Sequence, residues 1–345
     1  MCGRTALTLG KEEILKKCVL QRKGSNNEKK KVTEEKIETT ETDGQRVNAS
    51  DSDDPGLEQN IDIEPVWKDA PCGGEFSPSP NIAPTVYTPV LYTTSSGRTV
   101  LQPMMWGLIP PWHPGPGPKT HGLSTNNCRL EGLTSSKLYS PYLRSGRCVV
   151  VCEGFYEWLR PAAGDKQPYI VRRPATDHDS APLLYMAGLM SVWQETVRSY
   201  SIITRESNTT LSWLHHRMPA FLHPHQVSHW LDPDTHTTTA LQLLDQGVPG
   251  EGELTWHKVS KEVGNSRNQS VHLMNKMEEK QKKLPGIMAN WLQSSSNKPS
   301  NSNQTKSPQP SVKKKEDKSK SLMSSWLKRS HDNDPKNAND SKKLK

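Results

Sequence analysis

What most limits the fold of this 345-residue chain is where its strand-forming residues fall. Runs rich in Val, Ile, Leu, Thr and Tyr occupy 85–93, 99–105, 147–152, 168–171, 184–192 and 200–204, and the segments between them are rich in Gly, Pro and Ser. β-Branched and aromatic residues suit a pleated surface and the separators supply turns, so a mainly antiparallel sheet is expected. Short helices are expected at 11–20, 209–216 and 238–244. The fold class expected is α+β, a single domain with a sheet or barrel core and flanking helices.

The rest of the chain has a different character. Only 32% of the residues are hydrophobic and 27 are prolines, and the mean hydropathy is −0.79. That composition suits one domain over 1–273, with a disordered polar insertion at 23–66 and a disordered basic tail over 274–345. The formal charge of +8 is unevenly spread: about −7 between 28 and 64 and about +10 from 276 onward. The remaining body carries about +5, a mild lean toward a polyanionic partner. Within the tail, Ile287-Met288-Ala289-Asn290-Trp291-Leu292 echoes Leu322-Met323-Ser324-Ser325-Trp326-Leu327. Trp291/Leu292 and Trp326/Leu327 are therefore candidates for docking into a groove, such as that of a sliding clamp. Pro285 and Lys320 stand where a clamp-binding peptide carries glutamine. The Lys313-Lys314-Lys315 run fits nuclear import.

Six cysteines, Cys2, Cys18, Cys72, Cys128, Cys148 and Cys152, have irregular spacings with no C-x-x-C pair, so neither a metal nor another cofactor is expected. No apolar stretch reaches membrane-spanning length and no signal-peptide core follows Met1. Reduced thiols in a nuclear or cytosolic monomer are the expectation.

Cys2 carries the most specific chemistry. Small second residues permit removal of the initiator methionine, which would leave Cys2 as an amino-terminal 1,2-aminothiol. An α-amine has a pKa of about 8 against about 10.4 for lysine, so more of it is neutral near pH 7. A neutral amine attacks an aldehyde to give an imine, and the adjacent thiol can close on the same carbon as a thiazolidine, favoured because that step is intramolecular.

Five further clusters stand in strand-and-turn sequence: Pro80-Asn81-Ile82-Ala83-Pro84, Trp106-Gly107-Leu108-Ile109-Pro110, Asn127-Cys128-Arg129, Gly154-Phe155-Tyr156-Glu157-Trp158 and His215-His216-Arg217-Met218-Pro219. With Met1-Cys2-Gly3-Arg4, and with Asn265-Ser266-Arg267-Asn268 near the domain's end, they resemble the SOS-response-associated peptidase (SRAP) family in the family's own order. The resemblance implies covalent capture of abasic sites in single-stranded DNA at replication forks. It implies Cys2 as nucleophile, Glu157 and His215 as proton-transfer groups, and Asn127 as the residue that holds the amine and sugar in register. It also implies Arg4, Arg129 and Arg217 as phosphate contacts and Trp106 as the base-stacking face. Trp112 and Trp158 are expected in the core. Leu123 stands where a wedging aromatic is expected. Two other readings stay open: a thiol peptidase using Cys2, His215 and Asn127, and a noncovalent reader of modified DNA or fork adaptor.

Overall fold

The computed structural model describes residues 2–23, 60–71 and 73–278. Residues 24–59 of the insertion expected at 23–66, and residues 279–345 of the expected tail with both Trp-Leu repeats, lie outside the described residues. The chain opens with β1 (Thr5–Leu7), α1 (Lys11–Lys17), β2 (Leu20–Lys23), β3 (Asn60–Ile63), β4 (Val66–Trp67) and β5 (Ser79–Ile82). Next come β6 (Tyr87–Thr93), β7 (Thr99–Trp106), β8 (Asn127–Arg129), α2 (Tyr142–Ser145), β9 (Arg147–Cys152), β10 (Gly154–Leu159) and β11 (Gln167–Arg172). The last part holds β12 (Leu184–Trp193), β13 (Val197–Glu206), β14 (Arg217–Pro219), α3 (Pro224–Leu231), α4 (Thr237–Gln246) and β15 (Thr255–Lys258).

Five strands close on themselves. β13, β12, β9, β6 and β7 pair antiparallel in that order, and a parallel seam between β7 and β13 completes the ring. Directly opposed residues share a face, so Leu101, Leu91, Val149 and Ala187 form one buried row across four strands. β9 is buried at every position, the unbroken pattern of a strand covered on both faces. At the seam Gly107 adopts φ +120°, a conformation L side chains rarely take, and its N–H donates to Tyr200 O at 2.9 Å. Trp106 lies beside it, stacked on Tyr200 with ring centroids 6.3 Å apart. The Trp-Gly-Leu-Ile-Pro cluster thus belongs to barrel closure.

A second, antiparallel sheet of order β15-β11-β10-β1-β5 carries the amino terminus. β1 sits between β10 and β5, with Thr5 opposite Phe155 on one side and Ile82 on the other. Asn81, 1% exposed, ties this sheet to the segment after β15. Its amide nitrogen donates to the carbonyls of Asn265 and Asn268, both at 2.9 Å, and its Oδ1 accepts from Arg4 Nη1 at 2.7 Å. Arg4 Nη1 also donates to Val263 O at 2.8 Å. Two separate sequence clusters therefore meet at one side chain, which is tied through Arg4 to the segment that begins with Cys2.

Several expectations differ from the structure in bounds or in kind. The helix expected at 209–216 is a succession of turns. Asn208 Oδ1 accepts from Leu211 N at 3.3 Å, a side-chain bond that competes with helix formation ahead of two β-branched threonines. The bounds expected for the insertion, 23–66, overlap described strands, because β2 and β3 pair from Leu20↔Ile63 to Lys23↔Asn60. Helix α3 has Pro224 in its first turn and Gln226 Oε1 accepting from His223 N at 2.9 Å, a start signal that the surrounding histidines obscure. No helix among the described residues is long and apolar enough to cross a membrane.

Replacing Asn81 by Ala would remove three buried hydrogen bonds, to Asn265 O, Asn268 O and Arg4 Nη1, although Asn265 O keeps the N–H of Asn268 and Arg4 Nη1 keeps Val263 O. The loss expected is about 2 kcal/mol, read as a lower urea midpoint with an unchanged slope.

Candidate active site

Cys2 leads into β1 and is only 1% exposed, packed within the main apolar core. Its backbone is held from the barrel side. β8 lies parallel to β13 with Asn127 opposite Ile202, and Asn127 Nδ2 donates to Cys2 O at 2.7 Å. Asn127 Oδ1 is buried with no hydrogen-bond partner among the described residues.

Glu157 arrives on β10. Alternation along that strand puts Tyr156 into a small second core with Ala6, Ile170 and Val259, while Phe155 joins the main core. Glu157 shares the Phe155 face, toward the barrel, and is 6% exposed. His215 ends the turns before β14, and its ring lies 4.3 Å from that of His216. Arg217 N–H donates to His215 Nδ1 at 3.0 Å, while Arg217 O lies farther off at 3.2 Å. The tautomer that keeps the better bond carries its proton on Nε2.

Cys2 and His215 both feel the charge of Glu157. Burial pushes the Cys2 thiol up to about 12, and the charge of Glu157 adds to the rise. Burial lowers the His215 pKa below its usual value, with Glu157 partly offsetting the effect. At neutral pH the site therefore holds a protonated thiol and a neutral imidazole.

Glu157 and His215 line a cleft of about 870 Å³ together with Arg129, Trp158, Arg160, Lys166, Trp213 and His216. Arg129, Arg160 and Lys166 are exposed cations and Glu157 is the one carboxylate of the lining. Arg4 lies behind this site, spent on Asn81 and Val263, with its guanidinium 6.0 Å from the centre of the Trp158 ring. Arg217 is 7% exposed and donates to both carboxylate oxygens of Glu131, at 2.8 and 2.9 Å, and to Thr204 O at 2.7 Å. Any phosphate contact from Arg217 would have to displace Glu131. Trp106 departs from its expected stacking role: it is fully buried, and its Nε1 donates to Asn126 O at 2.9 Å. Trp112, expected in the core, is 59% exposed. Sequence reasoning missed Arg160, Lys166 and Trp213. Arg160 stands two residues past the Gly-Phe-Tyr-Glu-Trp cluster, which was its only signal.

Among the described residues no group of His, Cys, Asp or Glu is placed to hold a metal ion, and the described cysteines are free, buried thiols.

Comparison with known proteins places this fold in a family. The chain belongs to the SOS response associated peptidase (SRAP) family, whose model matches residues 1–266. It is 34% identical over 335 residues to the abasic site processing protein HMCES of Xenopus tropicalis, covering 88% of each chain. To the abasic site processing protein YedK of Escherichia coli it is 28% identical over 215 residues, or 61% of this chain and 90% of that one. A solved structure from Bacteroides thetaiotaomicron shares the fold with a TM-score of 0.50 at 22% identity, over 58% of this chain and 86% of that chain.

A buried thiol held at about 12 should alkylate slowly. At pH 8 iodoacetamide should modify Cys2 of the folded chain about tenfold or more slower than in the urea-unfolded chain. Peptide mass spectrometry at timed quenches measures the ratio.

Proposed function

We propose that this protein captures abasic sites in single-stranded DNA as a covalent adduct on Cys2, formed after removal of Met1. The observation that carries the proposal is the meeting of Cys2 with Asn127, Glu157 and His215 beside a cleft lined by exposed cations. The names of the abasic site processing relatives support the same substrate.

The α-amine of Cys2 attacks C1′ of the ring-opened deoxyribose, forming a C–N bond and a carbinolamine. Loss of water gives the imine. The thiol sulfur then adds to the imine carbon, its proton passes to nitrogen, and a thiazolidine closes. Because the thiol is protonated in the resting site, the amine acts first and sulfur second. Glu157 moves the amine protons, and the neutral His215 donates a hydrogen bond from Nε2–H to the sugar oxygen. Asn127 fixes the Cys2 carbonyl with its Nδ2, and its buried Oδ1 is available to accept from the free amine. An open imine invites β-elimination and strand cleavage; closure removes that route and shields the lesion from error-prone bypass.

A thiol peptidase would need a readily formed thiolate, and burial works against one at Cys2. A noncovalent reader needs the cleft but no free amine. The two are separated by incubating the chain with an oligonucleotide carrying one abasic site and reading heat-stable adduct on a denaturing gel. Cys2→Ala should give none. Cys2→Ser should give an adduct only when borohydride traps the imine. Chain that retains Met1 should also fail. Heat-stable adduct from Cys2→Ala would sink the proposal.

pH provides a second check. The adduct rate should fall as pH drops through about 8, where the amine takes up its proton. His215 keeps its Nε2–H donor whether neutral or protonated, and burial holds it neutral until the medium is more acid than an ordinary histidine requires, so no second fall is expected from it. His215→Ala should lower the single-turnover rate across this range without moving the fall near pH 8.

A further inference from the structure

The proposed reaction leaves one part of the cleft without a task. Trp213 is 38% exposed yet lines the cleft alongside Arg129, Arg160 and Lys166. Its ring is held firmly. The indole Nε1 donates to Thr210 O at 2.9 Å. Tyr169 meets the ring edge-on at a centroid distance of 5.1 Å, and Trp256 leans against it at 5.6 Å and 46°. A large apolar ring kept partly in water costs stability unless something covers it. Here it shares the cleft with three exposed cations, Arg129, Arg160 and Lys166, so the cover that fits is flat, aromatic and attached to negative charge.

An unpaired nucleobase on its phosphate backbone has that chemistry. We propose that Trp213 is a stacking shelf for an unpaired base flanking the abasic site, with Arg160 and Lys166 holding the adjacent phosphates. The inference rests on the reading that this cleft takes single-stranded DNA, and it adds where a neighbouring base is gripped. Two features set the shelf apart from Trp106, which is buried at the barrel seam. The Trp213 face is accessible, and its support from Tyr169 and Trp256 fixes the ring before DNA arrives. Every base has a π-face, so the shelf would grip the strand with little sequence preference. The two cations would make that grip salt-dependent.

The test uses the full chain carrying Cys2→Ala, so that no covalent step contributes, and a fluorescein-labelled oligothymidylate of about twelve nucleotides without any lesion. Adding Trp213→Ala should weaken binding about tenfold, and Trp213→Phe should stay within about threefold of the parent. Replacing Arg160 and Lys166 together by Gln should reduce the slope of log affinity against log salt by about 1.4. With 5-iododeoxyuridine in the strand, irradiation should join it to the peptide containing Trp213. Binding by Trp213→Ala within twofold of the parent would overturn the shelf, as would an equal loss in Trp213→Phe and Trp213→Ala. If Trp213→Ala does not fold, the photoadduct decides: adduct on Trp213 supports the shelf and its absence rejects it. A parent that fails to bind the strand overturns both this inference and the DNA reading. A parent that binds, alongside a Cys2 chain that forms no adduct, removes only the covalent chemistry.

Discussion

The pairing of β13 along its whole length is the constraint on which the site depends. Its early residues hold β7 and close the barrel, Ile202–Thr204 hold β8, and Thr204–Glu206 hold β14. Asn127 and Arg129 on one side, and the His215-to-Pro219 segment on the other, are thus hung from one strand. Side chains alternate with a period of two, so a one-residue slip of β8 would turn Asn127 away from Cys2 and bring Cys128 into its place. The parallel seam also explains why so few local bonds are needed at the site: the barrel supplies the rigidity and the short segments supply the chemistry.

The opposite wall is fixed by other means. β1 is only three residues long and could not hold Cys2 by its own ladder. It is flanked by β5 and β10, and Arg4 behind it is tied through Asn81 to the end of the domain. Burying these polar groups is tolerable because both amide atoms of Asn81 and Nη1 of Arg4 find partners, and the network specifies one position for the amino terminus. The same burial suppresses the thiolate of Cys2, which divides labour between amine and sulfur in the proposed chemistry.

The barrel strands were legible because β6, β7, β9, β12 and β13 are sustained apolar or β-branched runs bounded by turns. β10 was not, since Gly154 and Glu157 interrupt its pattern, and its role surfaced as a motif before it surfaced as a strand. The chemical cluster of Cys2, Asn127, Glu157 and His215 was legible through family motifs, which encode roles but not burial. That gap explains Trp106. Whether an aromatic at a strand end faces water depends on Tyr200, which lies far along the chain and stacks on it only once the barrel closes. Arg217 has the same history: its partner Glu131 comes from another segment. Trp213 was hidden by the opposite error, since a helical reading of 209–216 masks the turns that present it.

The ladder between β2 and β3 has a consequence for how this domain tolerates change. Lys23 and Asn60 are paired neighbours, so the connection between them begins and ends at adjacent points of one ladder. The entropy of closing a loop grows only with the logarithm of its length, so adding or removing residues between these two anchors should cost the ladder little.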